Sequence, residues 1–133
     1  MLTKKEFALK AIKPYAKDPN ICARAEGGSC LNLTTDGRMC VAGKYLLEEV
    51  RNSHESGVIT TILREYGNDQ SKVFIPEAVD ILTPNEWYNL QRIHDAISLL
   101  MDNNFISDGL TESQIKGRVG LLGLFTYEEM MAD

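Results

Sequence analysis

Apolar positions along the chain fall mainly into helical spacing. Thr3-Lys4-Lys5-Glu6 has the spacing of a capping box, in which Thr3 and Glu6 satisfy free amide donors. Phe7, Ala8, Ala11 and Ile12 then share one side, with Lys10 and Lys13 opposite. Pro14 has no amide hydrogen and disfavours helical geometry at Lys13, which predicts that this helix ends or kinks there. Lys44 to Arg51 reads as a short helix. Val58, Ile59, Ile62, Leu63 and Tyr66 also recur at helical spacing, although their β-branching leaves a strand open. Val73 to Ile75 fits a short strand, followed by a helical turn begun by Pro76. The strongest start is Thr83-Pro84-Asn85-Glu86, which combines an N-cap, a proline at the first position and a capping-box glutamate. Trp87, Leu90, His94, Ile97 and Met101 form its apolar stripe, and Asn103 or Asn104 can end it. Shorter helices are expected from Thr111-Glu112-Ser113-Gln114 and from Thr126-Tyr127-Glu128-Glu129.

Between the first two helices the pattern changes to alternation. Leu31-Asn32-Leu33-Thr34, then Thr35-Asp36-Gly37, then Arg38-Met39-Cys40-Val41 carries a hairpin signal. A two-residue Asp36-Gly37 turn would pair Leu33 with Cys40. A three-residue loop with Gly37 left-handed would pair Asn32 with Cys40, and only it gathers Leu31, Leu33, Met39 and Val41 on one face. That register is the one expected. Its opposite face carries Cys30, Asn32, Thr34, Arg38, Cys40 and Ala42, and Ile21 to Ala25 could add a third strand. The fold expected from these patterns is α+β: a small antiparallel hairpin or three-stranded sheet packed against four to six helices, in one domain over residues 1–133.

Composition narrows the class. With 133 residues, 44% hydrophobic and 25% charged, the chain is ordinary globular material able to build one core. No apolar run reaches the length needed to span a bilayer, no secretory leader is evident and three cysteines cannot all pair internally. These features predict a soluble protein of a reducing cytoplasm. Residues 1–51 hold nine basic and six acidic side chains, whereas residues 52–133 hold five basic and thirteen acidic. The acidic second part repels phosphate and argues against nucleic acid as a partner.

Few residues carry candidate chemistry. His94 sits on an apolar stripe, where a neutral imidazole needs a donor and an acceptor, so it is either a bonded core histidine or a catalytic base or metal ligand. Asp95 follows it but points about 100° away around the helix. Cys30 and Cys40 share a hairpin face, as buried thiols or as a nucleophile if one comes within reach of His94. Zinc ligands usually come in close C-x-x-C pairs, and here the spacings are C-x7-C and C-x9-C with His54 and His94 distant. No metal or other cofactor is therefore expected. Lys116-Gly117-Arg118-Val119-Gly120 contains a basic G-x-x-G, as in loops that clamp single strands, but it lacks a strand–helix frame and reads as packing or turn glycines.

Two segments carry a resemblance. Cys30-x9-Cys40-Val41-Ala42-Gly43-Lys44-Tyr45-Leu46, with Asp36-Gly37 between the cysteines, resembles the "Cys…Asp-Gly…Cys-Ala-x-Gly-x-Leu" hairpin of a loose group of small phage and bacterial proteins. Leu90-Gln91-Arg92-Ile93-His94-Asp95 is similar to that group's "Leu-Gln-x-x-His-Asp" helix. Leu31-Asn32 stands where the group usually has an aromatic–arginine pair. The resemblance implies a phage-like origin and carries no mechanism with it. It makes Cys30, Cys40, Gly43, His94 and Asp95 the group to test together, and the binding residues expected are Cys30, Arg38, Cys40, His94 and Asp95. The expected function is that of a phage-type accessory protein in the host cytoplasm. It would bind a host or defence component, a protein or a small signalling molecule, without catalysis. The alternative is a small hydrolase- or transferase-like enzyme using Cys30 or Cys40 with His94, or a metal site there.

Overall fold

In the computed structural model, residues 2–23, 32–34, 37–98 and 108–132 are described, with side chains of the last segment from residue 112. Among them the chain forms six α-helices: α1 Lys4–Lys17, α2 Glu48–Ser53, α3 Ile59–Glu65, α4 Pro84–Ser98, α5 Asp108–Leu122 and α6 Tyr127–Met131. Single 3-10 turns occupy Pro19–Ile21, Gly43–Tyr45, Gln70–Lys72 and Pro76–Ala78. α4 lies at the centre, packed against α1, α3 and α5, while α6 closes against α1 and α5.

Local sequence explains most of these helices. Both Thr3–Glu6 and Thr126–Glu129 form complete capping boxes, and Thr83 and Glu86 exchange the same pair of bonds at the start of α4. Trp87, Leu90, His94 and Ile97 are all buried, as their stripe requires. Trp87 anchors the core, stacked on Phe74 at 4.7 Å between ring centroids, with the Phe7 ring edge-on at 5.7 Å. Ile115, Val119 and Leu122 form the buried face of α5.

Several elements depart from expectation. α1 does not end at Pro14 but runs to Lys17, because Tyr15 is buried and its hydroxyl donates to the Met39 carbonyl at 2.5 Å. That tertiary anchor outweighs the one backbone bond that proline forfeits. Lys44 to Arg51 is not one helix: the 3-10 turn at Gly43–Tyr45 precedes an isolated antiparallel bridge between Leu46 and Phe74, and α2 begins only at Glu48. α5 starts before Thr111, and the G-x-x-G glycines lie inside it with open space around them, so no nucleic-acid-clamping loop exists there. Arg118 of that motif donates to the Arg92 carbonyl at 2.6 Å and ties α5 to α4. Met101, Asn103 and Asn104 lie outside the described residues.

The largest correction concerns the sheet. No sheet exists among the described residues, so the fold is all-helical with irregular connections rather than α+β. The turn does close in the expected three-residue register: the Thr34 amide donates to the Arg38 carbonyl at 2.8 Å, and Gly37 has φ +88°. Beyond that bond the ladder fails because both arms are engaged elsewhere. Asn32 and Leu33 donate their amides to the Glu55 carbonyl, Met39 gives its carbonyl to Tyr15, and the Cys40 carbonyl accepts from Lys44. Of the third-strand candidate Ile21 to Ala25, Ile21 ends a 3-10 turn at Pro19–Ile21 and Cys22 is extended, while residues 24 and 25 lie outside the described residues.

The expected inside and outside are also largely exchanged. Asn32, Thr34, Cys40 and Ala42 of the expected outer face are buried, whereas Leu33 and Met39 of the expected inner face are only half-buried; Val41 is buried as expected, and Leu31 lies outside the described residues. The thiol-bearing side packs inward because Gly43 presses directly on Asn32. A Cβ built on Gly43 would lie 2.2 Å from the Asn32 carbonyl oxygen. Gly43→Ala is therefore expected to destabilise the protein by about 2 kcal/mol or more, since backbone has to move to admit one methyl group. A thermal or denaturant melt checks this, and an unchanged midpoint contradicts the contact.

Candidate functional site

The motif residues Gln91, His94 and Asp95 fall within one turn of each other on α4. His94 is 0% exposed. Its Nε2 accepts the Ala23 amide hydrogen at 3.3 Å, and an amide can only donate. The ring proton of neutral His94 therefore sits on Nδ1 and is donated to Asp95 Oδ1 at 3.0 Å. The two side chains thus meet although their Cα–Cβ vectors diverge. Gln91 Nε2, one turn earlier, donates to the same Asp95 oxygen at 3.1 Å and holds the carboxylate back against the helix. Gln91 Oε1 faces the other way and accepts the Ala42 amide at 3.1 Å. The Tyr15 ring stands edge-on to the imidazole with centroids 4.8 Å apart.

Cys40 belongs to a second network. Its Sγ donates to Asn32 Oδ1 at 3.2 Å and accepts the Gly43 amide at 3.3 Å. Asn32 Nδ2 in turn donates to the His54 carbonyl at 2.7 Å. Gln91 joins the two networks, because Ala42 is two residues along from Cys40. The two motif segments are therefore docked on one another, but no hydrogen bond links Cys40 to His94. Arg38 lies between them in role: its Nη1 donates to the Cys22 carbonyl at 3.0 Å. Cys30 lies outside the described residues.

Chemically, a carboxylate on Nδ1 is the orientation of a general-base relay. The nitrogen that would take the proton, Nε2, is closed by the backbone of Ala23. Cys22, a buried thiol not singled out by spacing, lies with Sγ 3.9 Å from the His94 carbonyl oxygen. Among the described residues no three His, Cys, Asp or Glu side chains gather closely enough to hold a metal ion. Nor is any described helix long and apolar enough to cross a membrane.

Sequence reasoning also passed over Gln91, Asn32 and Tyr15. Gln91 was legible as the polar residue at i−3 from His94 and i−4 from Asp95. No local signal marks Tyr15 or Asn32, whose partners lie 24 and 22 residues away. Comparison with protein-family models, curated proteins and solved structures finds no match to this chain.

Two further features lie apart from these networks. His54 ends α2 with Nδ1 3.0 Å from the Val50 carbonyl and Nε2 2.6 Å from Glu65 Oε2 on α3. Both ring nitrogens thus face acceptors, and the Glu65 bond raises the imidazole pKa against partial burial, with Val50 adding to the rise. The second feature is a groove of about 600 Å³ between Leu2 and Lys4 at the start of α1 and the turn from Pro76 to Ile81. None of its lining residues belongs to the His94 or Cys40 networks.

His94→Ala is expected to cost on the order of 3 kcal/mol in denaturant unfolding, because it opens a cavity and strands the Ala23 amide. An effect below about 1 kcal/mol contradicts that role. His54 has a raised folded-state pKa, so its stabilisation is complete below the ordinary value near about 6.5 and is lost as pH rises through the raised value. Subtracting the stability–pH curve of His54→Gln from that of the wild type isolates this contribution. The difference should fall with rising pH, and a flat difference refutes it.

Proposed function

We propose that this protein acts by binding rather than by catalysis, as a phage-type accessory protein that engages a host or defence component. One observation carries the non-catalytic part: the polar atoms of His94 and Cys40 are already committed to buried hydrogen bonds with Ala23, Asp95, Asn32 and Gly43. A general base needs an open nitrogen, and a nucleophile needs an approachable sulfur. Neither group offers one. The motif residues are better used as the internal frame of a small binding domain. The likeness of the Cys40 and His94 segments to phage proteins supports the accessory role. An acidic second half, with eight more acidic than basic side chains over residues 52–133, supports a partner other than nucleic acid.

Incubating the tagged protein with host lysate and with a nucleotide library tests the reading. A component retained at micromolar concentration and released by competition with untagged protein is expected. Nothing retained, together with a turnover that His94→Ala or Cys40→Ser abolishes in still-folded protein, establishes the enzyme instead.

A further inference from the structure

We propose that the groove between the start of α1 and the Pro76–Ile81 turn is the docking site for a short apolar segment of a partner protein flanked by lysine or arginine. This rests on the binding reading above and specifies its site. The groove is floored by apolar groups, chiefly Leu2, Pro76, Val79 and Ile81. Leu2 is 39% exposed and contributes apolar surface to the groove. The groove volume of about 600 Å³ is that of an open cleft large enough for a few side chains.

Charge selects the occupant. The one cation in the lining, Lys4, is already taken, with its Nζ 2.8 Å from Glu86 Oε1. Burial alone would raise the Glu86 carboxyl, but the bonds from Lys4 and the Thr83 amide hold it below its usual range. The remaining charged groups in the lining are the carboxylates of Glu77 and Asp80, both exposed and with no ion pair among the described residues. A mainly apolar lining with two exposed carboxylates that form no ion pair among the described residues complements an apolar side chain carried between cations and disfavours nucleotides.

The wall is also preformed. Asp80 holds φ +59°, and its amide donates to Gln70 Oε1 at 2.8 Å. Gln70 is buried, and its Nε2 donates to the Leu82 carbonyl at 2.8 Å, so one side chain clamps the turn from beneath. The Lys4–Glu86 pair fixes the opposite side by tying α1 to α4. A rigid site loses little ordering entropy on binding.

The test uses the whole protein and a fluorescein-labelled pentapeptide alternating lysine with leucine, with a glutamate–leucine peptide of equal length as control. Fluorescence anisotropy should show saturable binding of the lysine peptide alone, weakening as salt rises. Glu77→Gln combined with Asp80→Asn, both exposed and with Asn tolerant of the left-handed backbone, should weaken it several-fold. Val79→Asp should weaken it about tenfold or more, with a melt confirming that each variant is folded. Equal binding of the glutamate peptide, displacement by nucleotides, or indifference to both sets of substitutions overturns the assignment. A lysate component whose capture survives Val79→Asp overturns the groove while leaving the binding reading intact. Absence of both peptide binding and lysate capture overturns the two together.

Discussion

A backbone that enters a protein interior outside helix or sheet brings amide and carbonyl groups that still require partners. The described residues at 22–23, 32–34 and 37–42 do this without any ladder, and side chains from elsewhere supply bonds to them and to Gly43. His94 accepts from Ala23, Gln91 from Ala42, and Cys40 Sγ from Gly43. Tyr15 donates to Met39, and Arg38 donates to Cys22. Buried Gln91 and His94 are thus the complement of this irregular segment, while buried Gln70 serves the Pro76–Ile81 turn in the same way. Each lost bond strands a backbone group in a low-dielectric interior, where it costs about 1–3 kcal/mol.

This constraint accounts for the position of α4. It is the central helix because it must do two things at once. Its Trp87, Leu90 and Ile97 positions fill the core, while Gln91 and His94, on the face toward the irregular segment, hold that segment's amides. Asp95, half-exposed at the edge, orients both by accepting from each. A carboxylate–histidine pair of this kind looks catalytic in isolation. Here the same geometry selects the imidazole tautomer that can accept from a backbone amide. Similar logic applies to Cys40: its sulfur serves as a weak acceptor and donor inside a turn too tight for anything but glycine at position 43.

With the interior so engaged, the outer features gain weight. The groove beside Leu2 and the Pro76–Ile81 turn is built from residues with no part in the interior networks, and a buried glutamine holds its shape. The interior networks and the groove therefore draw on separate sets of residues. His54 stands between these roles, since its carbonyl supports Asn32 while its ring bridges α2 to α3.

By itself the sequence determined those features that depend on contacts within about one helical turn. The three capping boxes, the stripe from Trp87 to Ile97 and the left-handed Gly37 in a three-residue turn all follow from local bonding and sterics. Tertiary structure joins the His94 helix to the Cys40 segment through the Gln91 side chain, which accepts the Ala42 amide. Tertiary structure alone decided whether alternation at residues 31–41 became a sheet. A strand needs a partner for every second backbone group, and here Glu55 and Tyr15, distant along the chain, took those groups first. It likewise decided that the thiol side faces inward and that α1 passes through Pro14. In each case a long-range contact outweighed a local preference of about 1–3 kcal/mol, a quantity that no window of neighbouring residues can contain.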